Sequence, residues 1–458
     1  MSLATHLYDF KPQKTLRILV YPNITYAKDL EKDSYIQVIH SMIIELNKIR
    51  DDLFFYLVMP KHLSMFSKFA NVQQFEMFFP SYPQNMRMHF NVKDWDIIRH
   101  RKWDFDLIFS HLPEHTLNIK NVLYNTSSHN PPVVGHQQPI VGYCHWFDIK
   151  DVVVSTMHAL NYNLMGILEM KRCYLNTQAQ KELVLEEAGK ILSIWNCKKL
   201  DEILTVQHPG IKKEDIVEEP LKETEKKIVF NHRPATYKDF DNFIKTMDEL
   251  WKQRQDFKVW IPLLETSNRP YINVDKYDKQ DYYNELRKCR VGYSPKQEYG
   301  GWSVATTDGI MNGTPYIMYD APYYKELNPT ADFFKSNEEA IKLLNLYLDD
   351  HYQRNEQAII GLKHLRENLI YQNEMQQMLD YFDKIVSEEK CITDRSKRFK
   401  EMIEIIKREG TVSKCKLTEW MNNDRPYGIA LNPYRRALLK HPNIYDSNDV
   451  EPHYIWKT

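Results

Sequence analysis

The sequence predicts an α/β chain: two doubly wound, parallel-stranded domains followed by a smaller helical unit that ends in a hairpin. Three observations carry that prediction. Short continuous apolar runs alternate with amphipathic stretches over most of the chain, as strands covered on both faces by helices require. One charged, proline-containing stretch, 214–227, interrupts the alternation near its middle and reads as a linker. Beyond about residue 391 the alternation stops and the composition turns modestly basic.

The first domain, 1–215, opens with the apolar run 16–21, a short buried strand. Apolar residues then recur at 35, 36, 39, 42, 43, 46 and 49, one face of a helix. A second strand is expected at 53–58, and others at 105–109, 140–144, 172–176 and 203–206. The second domain, 226–390, resumes with strands at 228–231, 258–261, 291–294 and 315–318. Helices are expected between them at 239–253, 280–288 and 304–312, and further helices fill 338–387. Two such domains leave a cleft, and ligands bind beyond the carboxyl ends of the strands.

Composition narrows the class. The 458 residues are 43% hydrophobic and 27% charged, as in a soluble protein of two or three domains. A net charge of −1 means that any polyanion must be met by a local basic patch. The six cysteines, Cys144, Cys173, Cys197, Cys289, Cys391 and Cys415, are scattered without a C-x-x-C pair. That pattern favours free thiols in a reducing compartment over a disulfide frame or a zinc site. No apolar run is long enough for a membrane span, and Met1–His6 lacks the basic and apolar regions of a signal peptide. A cytoplasmic location without a membrane partner is expected.

The stretch Tyr293–Met318 is the most informative. It reads as a strand, a loop with Gly300 and Gly301 opening a helix, then Gly313-Thr314-Pro315 entering another strand. Backbone N–H groups at such a loop and helix start can cradle a diphosphate. Glu298 in the loop and Asp308 in the helix can accept hydrogen bonds from sugar and ribose hydroxyls. Ordinary turn glycines at a helix start would leave the same local pattern. A second segment, Ile228–Asp241, is a strand followed by Arg233 and then Lys238 at the start of a helix. Cations in that position meet the charge that develops on a diphosphate leaving group. A third, Val206–Asp215, leaves the first domain through Pro209-Gly210-Ile211.

These three landmarks, in this order, resemble the retaining GT-B glycosyltransferases, especially family 4. The resemblance covers about residues 16–385 and implies two Rossmann-like domains facing a cleft, with a nucleotide sugar, most simply a UDP-sugar, as co-substrate. It implies Glu298 on the donor sugar, Asp308 on the ribose, and Arg233 and Lys238 on the diphosphate. Two departures stand out. The acidic pair is more widely spaced than in the family and its second member is Asp, and the loop Pro22–Tyr26 lacks the glycines many relatives place near the phosphates. Nothing singles out a metal site, and Arg233 and Lys238 make an obligatory metal unnecessary.

On the acceptor side, His145 and Asp148 follow the strand 140–144, where the family places a histidine beside the donor sugar. An acid there would orient the attacking hydroxyl, although His145 beside Trp146 also reads as a packed aromatic neighbour. His111 and Glu114 follow the preceding strand and are expected to face the same cleft.

The third unit, 391–458, opens with an amphipathic helix over 398–408 that turns Phe399, Met402, Ile403 and Ile406 inward. A short helix over 416–421, a basic helix begun by Asn432-Pro433 and carrying Arg435, Arg436 and Lys440, and a hairpin within 443–456 follow. That order resembles a winged helix-turn-helix, whose third helix enters the DNA major groove. A docking module for protein or self-association fits the same pattern. A GT-B enzyme with a DNA-binding tail resembles the bacteriophage DNA glycosyltransferases that act on 5-hydroxymethylcytosine. The resemblance implies DNA as acceptor, with the base exposed in the groove or flipped out. Two other readings stay open: a GT-B transferase acting on a polysaccharide, lipid or protein, and a DNA-binding protein with a decayed transferase site. Retention of Arg233, Lys238, Glu298 and Asp308 weighs against decay.

Overall fold

A computed structural model describes residues 15–24, 30–77, 90–101, 104–124, 138–144, 147, 157–297, 301–393, 395–413, 416–417, 444–446 and 453–456. The first sheet is parallel and comprises β1 (Leu16–Tyr21), β2 (Leu53–Met59), β3 (Val72–Glu76), β4 (Leu107–Ser110), β5 (Ile140–Tyr143), β6 (Arg172–Leu175) and β7 (Leu204–Val206). Its spatial order is β3-β2-β1-β4-β5-β6-β7. Around it lie α1 (Ser34–Ile49), α2 (Val92–His100), α3 (Thr116–Tyr124), α4 (Met157–Ile167), α5 (Gln178–Gly189) and α6 (Ile194–Ile203). Asp33 caps α1 by accepting from the Tyr35 and Ile36 amides, which turns the helix's apolar stripe, Ile36, Ile39, Ile43 and Leu46, onto the sheet.

The second sheet repeats the plan. It comprises β8 (Glu225–Val229), β9 (Lys258–Trp260), β10 (Ile272–Asn273), β11 (Cys289–Ser294), β12 (Tyr316–Tyr319) and β13 (Asp332–Phe334), in the order β10-β9-β8-β11-β12-β13. Its helices are α7 (Phe240–Gln253), α8 (Lys279–Lys288), α9 (Val304–Met311), α10 (Pro322–Leu327), α11 (Asn337–Asp349) and α12 (His351–Asn368). In each sheet the strand order reverses once, between β1 and β4 and between β8 and β11. Connections leave on opposite faces at such a point, and a crevice opens at the carboxyl ends of the two strands.

The strands expected from continuous apolar runs are present. In these two sheets three strands were not expected, β3, β10 and β13, and all are edge strands, where one flank meets solvent and no continuous apolar run is required. The charged stretch 214–227 is not all linker, because β8 already begins at Glu225 and buries Lys227 against Glu285.

The chain crosses between the sheets twice, and the crossings run side by side. The Ile211 amide donates to Leu369 O at 2.8 Å and the Tyr371 amide donates to Ile211 O at 3.1 Å. A β-carbon on Gly210 would fall 2.5 Å from the Tyr371 ring, so only glycine fits there. After this crossing, α13 (Tyr371–Thr393) returns to the first sheet, where Met378, Leu379, Phe382 and Ile385 join the core of α1. Among the described residues the last unit shows α14 (Arg395–Glu409) and an antiparallel sheet of β14 (Thr411–Ser413), β15 (Ile444–Asp446) and β16 (His453–Trp456), ordered β14-β16-β15. Met402 and Ile406 are buried on α14 as expected and Ile403 is half-buried. The side chain of Phe399 lies outside the described residues, as do all but the first two residues of the expected 416–421 helix.

One buried charge joins the second domain to its incoming linker. Arg354 on α12 is fully buried, and its guanidinium donates to the carbonyls of Leu221 (3.2 Å), Cys289 (3.2 Å), Arg290 (3.2 Å) and Gly313 (2.9 Å). Removing it strands four carbonyl acceptors, those of Cys289 and Gly313 fully buried. Arg354→Met is expected to lower unfolding free energy by about 3 kcal/mol, read as a reduced denaturant midpoint. An unchanged midpoint would mean that the carbonyls are satisfied without it.

Candidate active site

The site is built where the chain leaves β8 and β11, the two strands that flank the reversal in the second sheet. After β8 come Phe230, Asn231, His232 and Arg233, and then a 3-10 turn, Thr236–Lys238, closed by Asp239. Asp239 has φ 49°, a left-handed conformation that Asp tolerates better than most side chains. The turn sets Lys238 at the entry to α7. Burial first, and then the neighbouring Arg233, pulls the Lys238 ammonium down to about 8. His232 is buried beside it and held well below the ordinary histidine range by burial and by Lys238. Its Nε2 has no hydrogen-bond partner among the described residues.

From the other strand comes Gln297. Its side-chain oxygen accepts from Lys238 Nζ, so the two strand ends meet directly. Gln297 is held by a tyrosine pair on α10. Its amide N–H donates to Tyr323 Oη at 2.8 Å and its side-chain NH₂ donates to Tyr324 Oη at 2.9 Å. Tyr324 in turn donates to Pro295 O at 2.9 Å. Three residues beyond Gly300, Ser303 caps α9 by accepting from the Thr306 amide at 3.3 Å, and the Ser294 and Thr306 hydroxyls lie 2.6 Å apart.

Asn231 locks the arrangement together. Its side-chain NH₂ donates to Tyr282 Oη on α8 at 2.9 Å and to Ala305 O on α9 at 2.7 Å, and its oxygen accepts from Tyr316 on β12 at 3.0 Å. The Tyr316 ring reaches across α9 because Gly309 leaves room: a β-carbon there would lie 2.0 Å from the ring. Asp308, next to Gly309, is half-buried. Burial pushes its carboxyl up to about 7, with Lys279 opposing that rise and Asp215 adding to it.

Of the residues singled out in the sequence, Arg233 and Lys238 are brought together, Arg233 exposed and Lys238 half-buried. Asp308 is tied to the same strand end through Asn231 and the α9 backbone. Gly301 is half-buried with open space where a β-carbon would stand, so sterics do not demand glycine there. His111 is buried at the end of β4, edge-on to Phe109 with centroids 5.0 Å apart and tilted over Tyr143 at 5.5 Å. Glu114 is buried beneath α4 and accepts from Asn163 at 2.8 Å. Neither His111 nor Glu114 is an open cleft-facing group. Glu298, Gly300, His145, Asp148, Arg435, Arg436 and Lys440 lie outside the described residues. Asn231, Gln297, Tyr323 and Tyr324 escaped the sequence reading, since neutral amides and tyrosines near strand ends carry no motif. Among the described residues no group of three or more His, Cys, Asp or Glu could hold a metal ion, and no helix is long and apolar enough to cross a membrane.

By sequence the chain matches no protein-family profile and no curated protein. By fold it is similar to many solved structures. Anabaena Alr3699/HepE, solved in complex with UDP, superimposes with a TM-score of 0.56 at 10% identity over 81% of this chain and 100% of that one. An α,α-trehalose-phosphate synthase (UDP-forming) from Burkholderia vietnamiensis gives 0.55 at 10% identity over 82% and 98%. A glycosyltransferase from Rickettsia africae gives 0.53 at 12% identity over 81% and 99%. The protein therefore has the GT-B fold, two Rossmann-like α/β domains, as the three sequence landmarks implied.

The depressed lysine is directly measurable. After ¹³C reductive methylation, the Lys238 signal should titrate near 8, against about 10.4 for an ordinary lysine. Arg233→Ala removes the neighbouring positive charge and should move that titration upward. A Lys238 signal indistinguishable from surface lysines would refute the enclosed, paired-cation arrangement.

Proposed function

We propose that this protein is a glycosyltransferase that moves a sugar from a UDP-sugar to the hydroxymethyl oxygen of 5-hydroxymethylcytosine in DNA. The observation that carries the donor half is the bond of Lys238 to Gln297 across the strand-order reversal, with the Arg233 charge beside Lys238, next to the start of α9. A diphosphate entering that crevice meets two cations and free N–H groups at a helix start. As the bond between sugar and diphosphate breaks, negative charge grows on the leaving oxygen, and preorganised cations favour that state over the ground state. Lys238, costly to keep charged while alone beside Arg233, regains a stabilising partner when the anion arrives. The fold similarity to HepE, solved with UDP, supports a uridine nucleotide, and the arginine–lysine pair would leave a catalytic metal unnecessary.

In this reading 1–215 binds the acceptor, 226–390, less the α13 that returns to the first sheet, binds the donor and 391–458 is a winged-helix unit on DNA, in the cytoplasm. What supports the last assignment is sheet order. Among the described residues β14 follows α14 and pairs with β16, the last of the three strands, and β15 pairs with β16 on its other side. That is the arrangement of a winged helix, whose recognition helix would carry Arg435, Arg436 and Lys440. His145 and Asp148 would orient the attacking hydroxyl, and Glu298 the donor sugar.

The test is transfer of labelled sugar from a nucleotide-sugar panel to DNA with and without 5-hydroxymethylcytosine. Product is expected only on the modified DNA, and Arg233→Ala should lower kcat by about 100-fold. Donor turnover with no DNA product would move the acceptor to a glycan, lipid or protein, and no donor binding would overturn the enzymatic reading.

Asp308 adds a pH signature. Its carboxyl is neutral below about 7 and becomes a charged acceptor for ribose hydroxyls above it. Affinity for a UDP-sugar, measured by calorimetry, should therefore rise as pH passes upward through 7, and Asp308→Asn should flatten that rise. An equal slope in both proteins would remove Asp308 from the ribose site.

A further inference from the structure

The short helix α10 reaches in two directions. Tyr323 and Tyr324 hold Gln297, on one side of the donor loop. One turn on, Glu326 leaves its own domain. Its carboxylate accepts from the backbone N–H of Gln178 at 2.7 Å and of Ala179 at 2.9 Å, in the first turn of α5 on the other domain. A carboxylate at a helix N-terminus satisfies orphan donors and complements the helix dipole. Thr177 already caps the Gln180 amide, so Glu326 completes a cap that α5 cannot make alone.

The same carboxylate has a third partner. His208 Nε2, just past β7, lies 3.2 Å from Glu326 Oε2. The His208 ring tilts against Trp302, with centroids 5.2 Å apart, and Trp302 is the buried residue directly before the Ser303 cap of α9. Burial works against the Glu326 charge, yet His208 and the two amides outweigh it and hold the carboxyl below its ordinary range. Gln297 and Trp302 are thus both connected through α10 to the first turn of α5. Opening the cleft would break the α5 cap and release the support behind Trp302 together.

We infer that Glu326 and His208 are positioning residues that couple docking of the two domains to the placement of Trp302 and the start of α9, an inference that rests on the donor site proposed above. Neither touches the sugar or the diphosphate in this account. Glu326 senses whether α5 is docked, and His208 transmits that state to Trp302.

Hydrogen–deuterium exchange and UDP calorimetry on the full chain test this. In Glu326→Ala, exchange in the first turn of α5 should accelerate, exchange over 301–306 should accelerate with it, and UDP affinity should fall by about tenfold. His208→Ala should leave the α5 turn protected while still loosening 301–306 and weakening UDP. His208→Phe keeps the ring against Trp302 without the carboxylate link and guards against a simple packing loss. Faster α5 exchange with 301–306 and UDP affinity unchanged would overturn the coupling and leave Glu326 as a helix cap. If UDP fails to bind even the unaltered protein, the donor-site reading falls, and exchange over 301–306 in the His208 variants still decides the coupling.

Discussion

The side-chain amide of Asn231 is the constraint on which the candidate site depends. It lies two residues past the end of β8, where strand order reverses, and its three hydrogen bonds reach α8, α9 and β12. Each partner is buried or half-buried, so losing the amide would leave several polar groups unsatisfied together, a cost larger than any one bond suggests. The gain is geometric. With β8, α9 and β12 fixed to one another, the Ser303 cap and the turn bearing Lys238 stand at a set distance across the crevice.

Upon that frame the electrostatics are deliberately incomplete. Lys238 and Arg233 crowd each other, His232 is kept neutral, and Asp308 sits where burial resists its ionisation. None of the three shifts serves folding well. Elsewhere in the same domain the enclosed Lys227 is paired with Glu285. Perturbed groups gathered at a topological switch point are what a site for an anionic ligand should look like.

Much of the fold was legible because parallel strands covered on both faces must be continuously apolar. The runs at 16–21, 53–58 and 291–294 could be read with no other information. Edge strands β3, β10 and β13 were not, since one exposed flank relaxes that demand. In the site, Arg233 and Lys238 were legible because local chain geometry alone brings a strand end and the next helix start together. Gln297 was not, because its role depends on tyrosines 26 and 27 residues away. His111 and Glu114 were expected at the cleft from their place after β4, but α4 and Tyr143 close over that strand end.

The sequence by itself determined the periodicities: which runs are strands, which stripes face inward, and where the alternation breaks. It determined the order of the chemical landmarks too, since these are local in the chain. Only the tertiary structure decided that α13 returns to the first sheet, that two crossings lie side by side at Ile211 and Ile370, and that Glu326 caps a helix of the opposite domain. The physical reason is range. A strand or helix pattern is set by neighbours within a turn or two, whereas these contacts join residues more than a hundred positions apart, and nothing in local spacing records the partner.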